Sequence, residues 1–373
     1  MTFITRIVPL VLGWFGAWWL LWRLPVPRPL APAHRSDLGD VVVIVPARDE
    51  EANLPTLLAS LGPARDAGAE VVVVDDHSTD ATVEVARAAG ATVIRAPELP
   101  SDWAGKPHAC AVGAAGTDRP TLVFLDADTS LEPDGLARIV AEHRARGGLL
   151  SVQPYHCTER PHERLAALFN LVGVMGVGCA TAPPRPRVAG AFGPCLVTSR
   201  ADYEAVGGHG SVRAAVLEDI ALGEHYRRAG LPVGALGGRG VISFRMYPHG
   251  MGQLVEGFTK NFAGGAGAIP AWRTALVFLW ITGLLIAGWT LPIESFAWWI
   301  GGATPTPLAY VAYLAYALQL VVLVRRVGRF GPWTPWVFPL LVAGFLGIFL
   351  RSLVHSARGR TTWRGRTVAT RGV

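Results

Sequence analysis

The chain has 373 residues, of which 51% are hydrophobic and 17% charged, against about 25% charged in an average soluble domain. With a mean hydropathy of +0.34, that composition excludes intrinsic disorder and argues against a wholly water-soluble protein. The net charge of +6 suits a membrane surface or a nucleic acid.

Residues 7–22, IVPLVLGWFGAWWLLW, carry no charge and lie between Arg6 and Arg23. With their flanks they approach the ~20 residues that span a bilayer. A cleaved signal peptide is the alternative, but PVPRPLAP follows in place of a small-residue cleavage site, which favours a retained anchor over 1–24. Residues 25–40, rich in proline and polar groups, read as a linker.

From 41 to 262 the pattern is that of a water-soluble α/β domain. Short, mostly β-branched runs at 41–45, 71–74, 92–95 and 121–125 alternate with helix-patterned stretches at about 50–61, 79–89 and 106–116. That alternation implies a parallel sheet with right-handed crossovers. Ligands in such sheets bind beyond the carboxyl ends of the strands. Arg48-Asp49-Glu50, Asp75-Asp76-His77 and Asp126-Ala127-Asp128 follow three of those ends, so acidic clusters converge on one edge. A dinucleotide-binding domain needs GxGxxG after its first strand. PARDEE stands there, without a glycine and with carboxylates that repel phosphate.

Asp126 and Asp128 are alternate carboxylates that can reach one divalent cation, Mg²⁺ or Mn²⁺, whose charge would neutralise a diphosphate leaving group. Such a pair can also be two solvated loop acids; its place after a buried strand favours the metal. Asp75 and Asp76 open DDHSTD. Ser78 or Thr79 is expected to cap the next helix, with Asp80 in its first turn, whereas Asp75 suits a hydrogen bond to a base or ribose. Lys106 and Lys260 are the only lysines. Lys106, in DWAGKPHA, is a surface lysine or a phosphate ligand beside a helix start. Glu218-Asp219 opens an amphipathic helix, either complementing its dipole or supplying a general base. His209, in the nearby GGHG loop, could assist or be incidental. Cys110, Cys157, Cys179 and Cys195 show no metal or disulfide spacing and read as reduced.

The stretch 163–180 is apolar and glycine-rich and reads as an interfacial or buried helix, because a crossing there would split the α/β domain. A helix over 251–262 carries Lys260. Three uncharged runs then follow, 274–293, about 305–324, and 330–350. Arginine placement sets the topology. Arg23, Arg28 and Arg35 put 41–262 in the cytoplasm, and Arg325, Arg326 and Arg329 lie on the same side. A full crossing by 330–350 would put Arg351, Arg358, Arg360, Arg364, Arg366 and Arg371 outside. A re-entrant 330–350, broken by Pro332, Pro335 and Pro339, keeps the 355–373 tail cytoplasmic. The arginines flank membrane runs and form no nucleic-acid motif, so no nucleic-acid partner is expected. The sequence specifies no oligomeric state.

Taken together, VVIVPARDEE, VVVDDHSTD, DWAGKPHA, FLDAD and LED resemble glycosyltransferase family 2, a GT-A fold. GGLLSVQPYH, FNLVGVMGV, AFGPCLVTSRADYEAVGGH, SFRMYPHGMGQLVEGFTKNFAGGAGA, RRVGRF and TTWRGR narrow the resemblance to the carotenoid-acid glycosyltransferases. The resemblance implies an α/β GT-A Rossmann-like mixed sheet, with an N-terminal anchor and a C-terminal helical membrane region, in a bacterial cell membrane. It implies inverting transfer of a hexose, glucose, from a UDP-linked nucleotide sugar donor to an apolar lipid acceptor. Asp49, Glu50, Asp75, Asp76 and Lys106 would hold the nucleotide and diphosphate, and Asp126 and Asp128 the sugar and metal. Asp219 would be the base, with Glu218 as its alternative. The QxxRW signature of processive synthases is absent, which points to a single transfer. A hopanoid, polyprenyl phosphate or glycerolipid acceptor stays open, as does a non-catalytic nucleotide-sugar-binding protein. A carboxylic acid acceptor, with a pKa of roughly 4–5, is already ionised and needs no base.

Overall fold

The computed structural model describes residues 3–30, 37–183, 188–215, 217–265, 269–357, 360–363 and 366–369. Arg35, Arg358, Arg364 and Arg371 lie outside the described residues, and the side chain of Lys260 is not described. The chain forms two compact units: Met1–Leu24, Cys157–Arg187 and Tyr247–Arg358 in one, and Pro25–His156, Val188–Met246 and Gly359–Val373 in the other.

The α/β unit is built on a seven-stranded sheet. Its elements in chain order are β1 (Val41–Ala47), α2 (Leu54–Ser60), α3 (Gly62–Asp66), β2 (Glu70–Asp75), α4 (Thr82–Ala88), β3 (Thr92–Arg95), α5 (Gly105–Ala115), β4 (Thr121–Leu125), β5 (Thr129–Leu131), α6 (Gly135–Arg146), β6 (Leu149–Gln153), β7 (Tyr155–Cys157), β8 (Cys195–Ser199), α8 (Arg200–Ala205), α9 (Glu218–Arg228), β9 (Val233–Gly237) and β10 (Ile242–Phe244). The order across the sheet is β3-β2-β1-β4-β8-β6-β9. Strands β3 to β4 run parallel, β8 is antiparallel to both its neighbours, and β6 and β9 are parallel again. This is a mixed α/β sheet of GT-A type.

Both faces of the sheet are covered, which is why the strands read as continuous apolar runs. Val41, Val43, Val45, Val71, Val73 and Val123 pack on one side with Leu57, Ile139 and Val140. Val42, Ile44, Val72, Val74, Leu122 and Phe124 pack on the other with Cys110, Tyr203 and Tyr226. The helix expected from 79 begins at Thr82 instead, because Asp80 accepts from both Thr82 N and Thr82 Oγ1 and ends the turn there. A small sheet of β5, β10 and β7 extends from the end of β4.

The other unit contains α1 (Phe3–Leu20), α7 (Ala166–Val177), α10 (Met251–Gly265), α11 (Ala271–Trp299), α12 (Pro307–Val327) and α13 (Phe338–Ala357). The stretches 271–299, 307–327 and 334–355 are each long and apolar enough to cross a membrane, which supports membrane association. Residues 157–187 and 247–262, read from sequence as part of the α/β stretch, fall in this unit. Helix α7 is buried along nearly its whole length. The Arg273 guanidinium donates to Gly176 O at 2.6 Å and Val177 O at 3.0 Å, satisfying carbonyls that the end of α7 leaves open.

The directions of these helices follow from their contacts. Helix α1 runs antiparallel to α11: Gly13 lies beside Leu279 and Gly16 beside Leu276, while the Trp19 and Trp272 rings are 5.7 Å apart. A side chain at Gly13 would run into the Leu279 carbonyl, so glycine permits the close approach. Helix α12 also opposes α11, since Trp280 Nε1 donates to Gln319 Oε1 at 3.0 Å and Gly283 lies against Tyr316. Helix α13 opposes α11 as well: Gly288 faces Phe338 and Pro339, and Phe278 meets Phe349 at 6.5 Å. Helices α12 and α13 therefore run in the same direction. Residues 328–337 lead back along α12 until Tyr313 Oη donates to Trp336 O at 2.6 Å.

Candidate functional site

The carboxyl ends of β1, β2 and β4 bring the expected acidic residues to one edge of the α/β unit. Asp49 adopts a left-handed backbone, φ 52. Its Oδ1 accepts from Thr79 N at 2.7 Å and Thr79 Oγ1 at 3.1 Å, and its own N–H donates to Ser78 Oγ at 3.0 Å. Glu50 is buried; its N–H donates to Thr82 Oγ1 at 2.8 Å and its Oε2 accepts from Asn53 Nδ2 at 2.6 Å. Asp75 is buried and accepts from Ser78 N at 3.0 Å, so the turn after β2 explains part of its placement. Asp76 is buried beside Arg48 Nη1 at 3.8 Å. Arg48 also lies 3.9 Å from Asp49 and donates to Asp76 O. It thus ties the ends of β1 and β2 together, a role the sequence reading did not assign.

Ser78 and Thr79 do not cap α4; both bond to Asp49. Asp80 accepts from Thr82 just before the helix, and although burial works against its charge, hydrogen bonds from Thr82 and Glu51 hold its carboxyl below the usual range.

The densest charge lies where α5 begins, β4 ends and α9 begins. Lys106 Nζ lies 2.6 Å from Asp126 Oδ1 and 3.3 Å from Glu218 Oε1, and donates to Gly193 O at 3.4 Å. Burial disfavours this ammonium, but Asp126 and Glu218 outweigh it and hold Lys106 protonated well above its ordinary range. Asp126 is anchored by its backbone, with Asp126 N donating to Pro194 O at 3.0 Å and Thr129 Oγ1 donating to Asp126 O at 2.7 Å. Asp128 follows two residues later, beside β10, where Arg245 N donates to Asp128 O at 3.4 Å.

Glu218 is buried at the first position of α9, and the half-buried Asp219 follows at the second. Burial and the neighbouring Glu218 charge push the Asp219 carboxyl up to about 7, against the opposing effects of Lys106 and the Ile220 and Gly193 amides. A carboxyl poised there can accept a proton near neutrality. In the sequence the GPCLVTS stretch stands out only as part of a resemblance. Its Gly193 is more specific: a Cβ there would stand 3.2 Å from Asp219 Oδ2 and 3.3 Å from Lys106 Nζ. Glycine lets the loop pass between them.

His209 is buried, its Nδ1 lies 2.9 Å from Tyr203 Oη, and its ring meets Phe124 edge-on at 4.7 Å. Burial lowers it to about 4, so it is neutral, and it packs against Phe124 of β4, the strand that Asp126 follows.

Among the described residues no three His, Cys, Asp or Glu side chains form a metal cage. The donor set nonetheless fits a hard cation. Mg²⁺ and Mn²⁺ are commonly held by one or two carboxylates, with water and substrate phosphate oxygens completing the shell. Asp126 and Asp128 would supply that pair.

Comparisons with known proteins bear on this arrangement. The sequence model of glycosyl transferase family 2 matches residues 42–176. A 4,4'-diaponeurosporenoate glycosyltransferase from Staphylococcus haemolyticus (strain JCSC1435) is 36% identical over 262 residues, 69% of this chain and 70% of that protein. One from Staphylococcus aureus (strain MRSA252) is 36% identical over 334 residues, 87% of each. Among solved structures, the mannosyltransferase PcManGT from Pyrobaculum calidifontis, in complex with GDP-Man and Mn²⁺, covers 94% of each chain at 21% identity and a TM-score of 0.49.

Proposed function

This chain belongs to glycosyltransferase family 2, and on that premise we propose that it is a membrane-bound inverting enzyme that transfers glucose from a UDP-linked donor to an apolar carotenoid carboxylic acid. The observation that carries the reading is the position of Lys106 between Asp126 and Glu218. One ammonium joins the carboxylate that follows β4 to the pair that opens α9, where a sugar donor and an acceptor have to meet. The names of the Staphylococcus relatives, which specify a carboxylate acceptor, support the acid.

In this reading Asp49, Glu50, Asp75 and Asp76 bind the nucleoside, and Lys106 and the start of α5 hold the diphosphate. A divalent cation held by Asp126 and Asp128 would neutralise charge on the departing diphosphate. An acceptor carboxylate oxygen forms the new bond to the anomeric carbon from the face opposite the diphosphate. The bond to the diphosphate oxygen breaks and its electron pair leaves with UDP, so the configuration inverts. The acid arrives ionised, so no proton has to move, and Glu218 and Asp219 orient sugar and acceptor.

A hydroxyl acceptor of hopanoid type is the second reading. The raised Asp219 favours it, because an alcohol does need a base to take its proton.

Membrane placement follows from charge and helix direction. The arginines after α1 and at the end of α12 assign the α/β unit to the cytoplasmic face. The shared direction of α12 and α13 supports reading residues 328–357 as a segment that dips into the bilayer and returns to the face it left. In this reading the 355–373 tail lies on the arginine-rich side.

Purified full-length protein tests the activity. UDP release from UDP-glucose should require both Mg²⁺ or Mn²⁺ and an added apolar acid. Release with no lipid of any kind would contradict the account, and absence of release with every lipid would leave a nucleotide-sugar-binding protein.

A further inference from the structure

The charges of the chain are divided unequally between its two units. The unit that holds the long apolar helices carries thirteen lysines and arginines against four glutamates, so the basic excess of the chain lies there. Four acids cannot neutralise thirteen cations, and several of these arginines turn to backbone carbonyls instead. Arg160 Nη1 donates to Pro248 O at 2.8 Å, Arg273 Nη1 to Gly176 O and Val177 O, and Arg326 Nη1 to Trp22 O at 2.7 Å.

Arg164 has no such acceptor among the described residues. It lies in the turn Pro161–Leu165 that leads into α7, and its side chain is half-buried with Nε enclosed and unmatched. The neighbouring Glu163 spends Oε2 on Glu159 N at 2.7 Å and Arg160 N at 3.2 Å. The guanidinium is placed by Gly331, which holds a left-handed backbone, φ 83, in the turn after α12. A Cβ at Gly331 would stand 3.2 Å from Arg164 Cζ and 3.4 Å from Nε and Nη2, so glycine lets the planar group lie against the chain. Thr158 Oγ1 donates to Arg329 O at 2.8 Å, which ties the two turns together. Arg329 is exposed, and Trp333, 71% exposed, comes two residues after Gly331. Arginines beside an exposed tryptophan match the edge of a bilayer, where indole rings settle at headgroup level.

We propose that Arg164, with Arg329 beside it, binds the phosphate of an anionic phospholipid headgroup. The assignment rests on the membrane association of this unit and not on the sugar-transfer reading. A guanidinium half withdrawn from water costs free energy unless an acceptor replaces the water it has lost. Phosphate oxygens match the arginine fork with two parallel hydrogen bonds. Anionic lipids are the phosphates that a membrane-associated surface meets at high density, and basic clusters draw them. A lipid bound there would hold the turn after α12 at the membrane surface.

The test uses the full-length protein in detergent, titrated with phosphatidylglycerol or phosphatidylcholine and followed by native mass spectrometry. A UDP-glucose titration and a circular dichroism melt report folding. Wild type should bind phosphatidylglycerol about tenfold more tightly than phosphatidylcholine. Arg164→Gln should abolish that preference and leave UDP-glucose binding unchanged, whereas Arg164→Lys should retain part of it. Arg164→Met repeats the test if the glutamine variant does not fold. Arg351→Gln, which removes an exposed arginine of α13, should leave the preference intact. An equal loss in Arg351→Gln would reduce the effect to diffuse attraction by the whole basic unit and overturn the site. A wild type without the preference, or neutral Arg164 variants that keep it, would overturn it as well. Displacement of phosphatidylglycerol by inorganic phosphate at the lipid's own concentration would assign the site to free phosphate and overturn the lipid.

Discussion

Lys106 and Asp126 lie 20 residues apart in sequence, yet the Lys106 ammonium sits 2.6 Å from the Asp126 carboxylate. The contact fixes the first turn of α5 to the end of β4 and places the chain's scarce point charge between two acids. Removing that charge leaves Asp126 and Glu218 facing each other uncompensated. Lys106→Met is expected to lower kcat by about 100-fold or more, on the scale of losing one preorganised electrostatic group, and to weaken donor binding. Lys106→Arg should fall between the two. Steady-state kinetics with a donor titration checks both.

Asp219 gives a pH signature that depends on the acceptor. A base must be deprotonated to act, and burial with Glu218 pushes this carboxyl up to about 7. With an alcohol acceptor, kcat/KM should therefore rise as pH passes through about 7, and Asp219→Asn should cost orders of magnitude. With an acid acceptor the same substitution should cost only a modest factor and leave the profile flat in this range. The raised value also means that the folded state loses stability as pH rises through about 7. Asp219→Asn should then have the higher Tm at pH 8, measured by thermal unfolding.

Gly193 separates effects on the site from effects on the fold. Its backbone is not left-handed, so alanine is conformationally acceptable, but the added carbon would press on Asp219 and Lys106 at 3.2 and 3.3 Å. Gly193→Ala should fold with a near-normal Tm while kcat falls about tenfold. Gly193→Val should reduce it further. Circular dichroism melts beside transfer assays separate the two effects.

His209 predicts acid sensitivity. Burial lowers it to about 4, so the unfolded chain takes up the proton first as pH falls below the ordinary value. Stability is lost between about pH 6.5 and 4. His209→Gln should be less stable at pH 7, because the bond to Tyr203 and the packing on Phe124 change, but its stability should fall less steeply over that range. Chemical denaturation at stepped pH measures the slope.

The shared direction of α12 and α13 predicts where the chain ends. A fluorescent protein fused after Val373, which folds only in the cytoplasm, should light up, whereas alkaline phosphatase at the same point should stay inactive. Alkaline phosphatase inserted near Ala303, between α11 and α12, should be active. An active phosphatase after Val373 would mean that 330–350 crosses fully.

Much of this architecture is written in local pattern. The β-branched runs of β1, β2, β3 and β4 stand out because both faces of those strands are covered, and the acids at their ends stand out because they interrupt apolar runs. Lys106 is conspicuous in a chain whose other lysine is Lys260 and whose remaining basic residues are arginines. What local pattern does not carry is long-range pairing. Strand β8 enters between β4 and β6 from far along the chain, and that insertion brings Gly193 to Lys106 and Asp219. Arg48 reads as one more polar residue until β2 lies alongside β1. Hydropathy finds α13 but has no sign, so its direction emerges only from contacts such as Gly288 with Phe338. The late start of α4 reflects Asp49, which follows another strand and takes up Ser78 and Thr79, the two residues expected to cap the helix.

The most direct test of the central claim is the structure of the product formed from UDP-glucose and an apolar polyene carboxylic acid by the purified full-length protein. The account predicts a glucosyl ester at the carboxyl group in the β configuration, seen by mass spectrometry and by the coupling of the anomeric proton in NMR. A product of α configuration, or glucose attached only to hydroxyl lipids while the acid is left unmodified, would contradict it.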